Sequence, residues 1–103
     1  MRVKWAENAK EGRDQIADYI RRQFGNNRRI AFLQEVRYTI NLLKRNPYIG
    51  HNDPLFAHHV TTYRSMIING LSKFAYSIDN ETIYIVAFWD TRMEPEEQAA
   101  KVM

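Results

Sequence analysis

Residues 63–92 read Tyr63-Arg64-Ser65-Met66-Ile67-Ile68-Asn69-Gly70-Leu71-Ser72-Lys73-Phe74-Ala75-Tyr76-Ser77-Ile78-Asp79-Asn80-Glu81-Thr82-Ile83-Tyr84-Ile85-Val86-Ala87-Phe88-Trp89-Asp90-Thr91-Arg92. Asn69-Gly70 lies between two runs rich in β-branched and aromatic residues. Both residues tolerate the positive φ of a type I′ turn, so the pair is a strong local hairpin signal. Asp79-Asn80-Glu81 then parts the second run from a third, Thr82 to Trp89. The stretch predicts three consecutive strands in an antiparallel meander.

A two-residue loop at 69–70 pairs Ile68 with Leu71, Met66 with Lys73 and Arg64 with Ala75. Directly opposite residues share a face, and side chains alternate along each strand. One face is then expected to carry Arg64, Met66, Ile68, Leu71, Lys73 and Ala75. The other carries Tyr63, Ser65, Ile67, Ser72, Phe74, Tyr76 and Ile78. A two-residue turn near Asn80 adds Ile83, Ile85, Ala87 and Trp89 to the second set, and Tyr84, Val86, Phe88 and Arg92 to the first. The second set is the better core. The first mixes Arg64, Lys73 and Arg92 with more apolar groups than a solvent face needs, which predicts a basic working face partly covered by a partner.

The chain has 103 residues, 45% of them hydrophobic, as expected of one globular domain spanning 1–103. No apolar run approaches the ~18 residues of a membrane span, and no signal peptide opens the sequence, so no membrane association is expected. There is no cysteine. Disulfides, Cys-ligated zinc and a thiol nucleophile are therefore excluded, in keeping with a cytoplasmic protein. Charge is uneven: residues 1–45 hold 11 Lys/Arg against 5 Asp/Glu, whereas 46–103 hold 4 against 7. The first half reads either as a basic layer that meets nucleic acid or an acidic partner, or as solvated helix faces.

Arg2-Val3-Lys4-Trp5 alternates and reads as a strand, at a sheet edge or beside the last strand. Asn8 followed by Glu11 suggests an N-cap with its reciprocal acid. Ala9, Ile16, Tyr19, Ile20 and Phe24 then form one helical stripe, which Gly25 ends. Asn26-Asn27 make a tight connection. The second helix is expected from about Arg28 to Lys44, with Ile30, Leu33, Val36, Ile40 and Leu43 at spacings of 3, 3, 4 and 3. Two helices so closely joined must form an antiparallel hairpin. Asn46-Pro47 stops the second.

Residues 46–60 read as a loop, punctuated by Pro47, Gly50 and Pro54 and carrying His51, His58 and His59. Its length favours a functional loop. With no cysteine and no His-x3-His pair the sequence implies no metal and no cofactor. His58 or His59, close to the Arg64 strand, is a candidate general acid or base, or a surface histidine without a role. Beyond Arg92, Pro95 with Glu96 and Glu97 reads as the start of a short helix.

The order strand, helix hairpin, loop, three-strand meander and short helix resembles that of the RelE/ParE toxin superfamily. So do the residues: Trp5-Ala6-Glu7-Asn8-Ala9 with Ile16 and Tyr19-Ile20; Leu42-Leu43 with Asn46-Pro47-Tyr48-Ile49-Gly50; Tyr63-Arg64 followed by Lys73-Phe74-Ala75-Tyr76-Ser77-Ile78; and Ile83-Tyr84-Ile85-Val86 with Arg92. Each motif is weak alone; together and in order they span nearly the whole chain.

The resemblance implies an α+β, β-α-α-β-β-β(-α) fold and the toxin half of a type II toxin–antitoxin module. It implies a growth inhibitor held inactive by a cognate antitoxin, with plasmid stabilisation as a context and a homodimer or a heterotetramer with the antitoxin as assemblies. One branch of the superfamily is RelE-like and cleaves mRNA on the ribosome without metal, using basic sheet residues; the other is ParE-like and poisons DNA gyrase. By position, Arg64, Lys73 and Arg92 match the basic sheet residues of the nuclease branch, where cations would stabilise charge on a scissile phosphodiester. Lys73, however, stands where Arg is usual, without its planar fork. Trp89-Asp90-Thr91-Arg92 offers neither the Tyr nor the His of that branch near its end. These departures favour the ParE-like branch over the RelE-like one, with an inactive member that only binds a protein partner as a third reading.

Overall fold

The computed structural model describes residues 1–57 and 60–92. The elements are β1 (Arg2–Trp5), α1 (Glu7–Phe24), α2 (Asn26–Arg45), β2 (His51–Asn52), a 3-10 turn (Pro54–Phe56), β3 (Arg64–Ile68), β4 (Ser72–Asp79) and β5 (Thr82–Asp90). They form one five-stranded mixed sheet in the order β1-β5-β4-β3-β2. β1 runs parallel to β5, from Arg2 opposite Thr82 to Trp5 opposite Ile85, and the other neighbours are antiparallel. The expected α+β architecture stands, with β1 both at an edge and beside the last strand. Among the described residues no helix is long and apolar enough to cross a membrane.

The helix hairpin covers one face of the sheet. Small residues of α1, Ala9, Gly12 and Ala17, are buried and let the helix lie close. A Cβ on Gly12 would sit 1.9 Å from the Phe88 carbonyl oxygen, so α1 rests on the main chain of β5 at a point only glycine fits. Phe74, Tyr76, Ile83, Ile85 and Phe88 from the sheet meet Phe32, Val36, Ile40 and Leu43 from α2 in the main core. Phe88 stacks on Phe74 with centroids 5.9 Å apart and meets Phe32 edge-on at 6.3 Å.

Several local expectations need correction. Asn8 lies inside α1 and is not its cap; its Nδ2 donates to the Val86 carbonyl at 3.3 Å. Gly25, at φ 94°, both closes α1 and precedes α2, so Asn26-Asn27 open the second helix instead of forming the connection. Phe24 and Ile30, flanking this tight link, are exposed, and Phe32 takes the buried place assigned to Ile30. Residues 46–60 are not simply a loop: β2 extends the sheet and the 3-10 turn, capped by the Asp53 side chain, folds beneath it. The helix start at Pro95 lies outside the described residues.

The hairpin signals are placed correctly but their registers are not. Asn69 and Gly70 both have positive φ, and the Leu71 N–H donates to the Ile68 carbonyl at 3.1 Å, as a tight turn requires. Yet Leu71 is left out of the ladder. Its carbonyl accepts from the Thr91 N–H at 3.0 Å, and Ile68 pairs with Ser72, Met66 with Phe74 and Arg64 with Tyr76. That one-residue shift inverts β4 against β3. Arg64, Met66 and Ile68 therefore share the helix-facing side with Phe74 and Tyr76, while Ser65, Ile67, Lys73 and Ala75 share the other.

The second hairpin keeps its two-residue turn, with Asp79 opposite Thr82. Here the irregularity falls inside the strands. Tyr76 pairs with Ile85 but Ala75 with Ala87, so Val86 is an extra, bulged residue. Ile83 and Ile85 face the helices as expected. Past the bulge the parity changes, and Phe88 faces the helices while Ala87 and Trp89 face away. There they join Phe56 and Ala75 in a second, smaller core, flanked by Leu55, Tyr63 and Val86.

Candidate functional site

The shifted register separates the three cations expected on one working face. Arg64 and Lys73 lie on opposite faces of the sheet. Arg64 and Arg92 lie at opposite ends of the strands, since Arg64 pairs with Tyr76 and Arg92 follows Asp90, whose partner is Ser72. Four residue steps along β4 separate those levels, roughly 13 Å at a strand's rise.

Arg64 holds the connection between α2 and β2. Its Nη1 donates to the Gly50 carbonyl at 2.7 Å and to the Tyr48 carbonyl at 3.4 Å. Its guanidinium also stacks on the Tyr48 ring, 5.0 Å from the centroid. Tyr76 braces the same segment from beneath. Its hydroxyl donates to the Pro47 carbonyl at 2.8 Å and accepts from the Gly50 N–H at 3.0 Å. A Cβ on Gly50 would lie 2.5 Å from that hydroxyl, so the glycine is required by close approach. Burial pushes the Tyr76 hydroxyl above its ordinary pKa, with the Gly50 bond and the Arg64 charge opposing.

Lys73 forms an ion pair with Asp53, their side chains only 15% and 6% exposed. Nζ lies 5.6 Å from the Trp89 ring centroid and 5.8 Å from that of Phe56. Asp53 also accepts from Ser65 Oγ at 2.9 Å and from the Leu55 N–H at 3.0 Å. Burial alone would raise the Asp53 carboxyl. Hydrogen bonds from Lys73, Leu55 and Ser65, with the Lys73 charge, outweigh burial and hold it below its ordinary value. The ammonium is thus neutralised and walled by aromatic rings.

Arg92 is the most exposed of the three, at 66%. It forks onto Asp90, with Nη2 to Oδ2 at 2.6 Å and Nε to Oδ1 at 3.0 Å. The hydrogen bonds from Arg92 lower the Asp90 carboxyl, and those to Asp90 raise the guanidinium in turn. The guanidinium lies 5.8 Å from the Tyr19 centroid, beside a cleft of about 240 Å³ between α1 and the end of β5.

His58 and His59 lie outside the described residues. Among those described, no cluster of three His, Cys, Asp or Glu side chains is placed to hold a metal ion. Asp53 was not singled out in the sequence as the partner of Lys73. Its signal was Asp53-Pro54, since an Asp before proline commonly caps a turn. The Tyr48–Gly50–Tyr76 arrangement has no comparable local signature, because it joins residues 26 apart in sequence.

Comparison with known proteins agrees with this fold. The family model described as the ParE toxin of the type II toxin–antitoxin system parDE matches residues 3–95. A solved structure of the chromosomal ParDE TA system from P. aeruginosa is similar at a TM-score of 0.70 and 16% identity, over 87% of this chain and 95% of that one. At that identity the shared property is the fold. Among curated proteins none matches. With the family model spanning nearly all of its length, the chain belongs to the ParE toxin family of type II toxin–antitoxin systems.

Proposed function

We propose that the chain inhibits growth in the cytoplasm by binding DNA gyrase, and that a cognate antitoxin holds it inactive. The observation that carries this reading is the separation of Arg64, Lys73 and Arg92. A nuclease centre needs cations that converge on one phosphodiester. Here each cation has an internal partner: the backbone for Arg64, Asp53 for Lys73 and Asp90 for Arg92. In this reading Arg92, exposed and at the end of the sheet, is a target contact. Arg64 and Lys73 act by holding the segment 47–57 in place.

The test is expression of the chain without its antitoxin while the SOS response is followed and mRNA ends are mapped. SOS induction with intact transcripts is the expected result. Codon-positioned cuts that vanish in Arg64→Ala would overturn it and return the ribosome-dependent nuclease. Absence of toxicity would leave a family member that only binds a partner.

A further inference from the structure

The two helices handle charge differently. On α1, four Lys/Arg meet four Asp/Glu, and every cation is paired: Lys10 with Glu7 at 3.5 Å, Arg13 with Asp14 at 3.0 Å, and Arg21 and Arg22 with Asp18 at 2.8 and 3.0 Å. On α2, five Lys/Arg stand against Glu35 alone. Gln34, Arg37, Tyr38, Asn41, Lys44 and Arg45, at spacings of 3, 1, 3, 3 and 1, fall on one side of that helix. All six are exposed, Tyr38 at 65%. Among the described residues no ion pair or hydrogen bond engages the side chain of Arg37, Lys44 or Arg45, and no acid stands three or four positions from any of them. The helix dipole offsets only about half a charge, so Lys44 and Arg45 in the last turn exceed it.

We infer that this ridge of α2 binds the phosphate backbone of duplex DNA. Its side chains are guanidinium, ammonium, amide and phenol donors, the kinds that contact phosphate, and none is a carboxylate. From Gln34 to Arg45 the ridge is about 16 Å long, which spans about five phosphates of one strand. An acidic protein fits less well, because amides and charges occupy the middle of the ridge, where a protein interface places apolar anchors. The duplex is DNA rather than RNA because a gyrase poison acts where DNA is held, and to that extent the assignment rests on the gyrase reading. The contact itself involves neither Arg92 nor gyrase, and goes beyond that reading.

The full chain is titrated into a fluorescein-labelled DNA duplex of about 20 bp, and anisotropy is read between about 50 and 200 mM salt. A duplex RNA of equal length and a polyglutamate of equal charge are the comparison ligands. The DNA is expected to bind in the micromolar range at the lower salt. Arg37→Gln/Arg45→Gln should weaken binding at least about tenfold, and should make the slope of log affinity against log salt shallower by about two. Arg21→Gln/Arg22→Gln, an equal charge change on α1, stays within about threefold and keeps the slope. Circular dichroism checks that both variants fold. No binding of the DNA, equal loss in the two variants, or binding of RNA or polyglutamate as tight as that of DNA would overturn the proposal. Gyrase is absent from the titration and its supercoiling is read separately, so failure here would leave the gyrase reading standing.

Discussion

The two faces of the sheet are closed in different ways. The helix-facing side is held by apolar area: α1 lays Ala9 and Ala17, and α2 lays Phe32, Val36, Ile40 and Leu43, over Phe74, Tyr76, Ile83, Ile85 and Phe88. The opposite side is closed by a far smaller piece, the 3-10 turn at Pro54–Phe56, which places Phe56 against Ala75, Ala87 and Trp89. Two alanines leave room for the Phe56 ring, which meets Trp89 edge-on at 6.0 Å. So small a cover buries little area, and the Asp53–Lys73–Ser65 network pins it in place. Area suffices where helices can supply it; where only a turn is available, buried charge and hydrogen bonds fix the position.

This contrast can be broken first at Lys73. Lys73→Ala leaves Asp53 buried and unpaired, and should destabilise the chain by about 3 kcal/mol in urea unfolding. Lys73→Met/Asp53→Asn should recover at least half of that loss, because no charge is stranded and the amide oxygen still accepts from Leu55. A double variant as unstable as the single would assign the loss to packing instead. On the helix side, Gly12→Ala should cost about 2 kcal/mol: overpacking against the Phe88 carbonyl outweighs the roughly 1 kcal/mol that alanine brings to a helix. A stabilised Gly12→Ala protein would mean that α1 does not lie so close.

Tyr76→Phe tests the junction between the two regions, and should cost about 1–2 kcal/mol by leaving the Gly50 N–H and Pro47 carbonyl without partners. The smallest effect is the pH dependence of the second face. The folded pKa of Asp53 lies below its ordinary 3.8. Its contribution is therefore complete above that value and lost as pH falls through the lower folded one. Acid titration of stability should be shallower in Asp53→Asn than in the unaltered chain; equal slopes below pH 3.8 would remove Asp53 from the acid response.

The helices and the meander strands were legible because their signals are local, whereas β2 and the 3-10 turn read as loop. Asn69-Gly70, the spacing of Leu33, Val36, Ile40 and Leu43, and Gly25 each act within a few residues. The faces were legible only in part: Phe74, Tyr76, Ile83 and Ile85 line the core as expected, but others changed sides because parity depends on one extra residue in each hairpin. Leu71 leaves the first ladder since its carbonyl bonds to Thr91, twenty residues on, and Val86 bulges where the Asn8 side chain reaches its carbonyl from α1. Neither long-range partner is visible in the strand pattern. Placing Arg64 with Lys73 rested on that parity, whereas Arg64 and Arg92 are parted along the strands, so the three residues are notable but do not share one site.

The separation of those cations leads to a claim that one assay addresses directly. Purified chain is added to DNA gyrase with relaxed plasmid and ATP, and in parallel to ribosomes programmed with mRNA. Loss of supercoiling with accumulation of cleaved DNA is expected in the first reaction, and uncut message in the second. Undisturbed supercoiling together with cleavage of the message on the ribosome would contradict it.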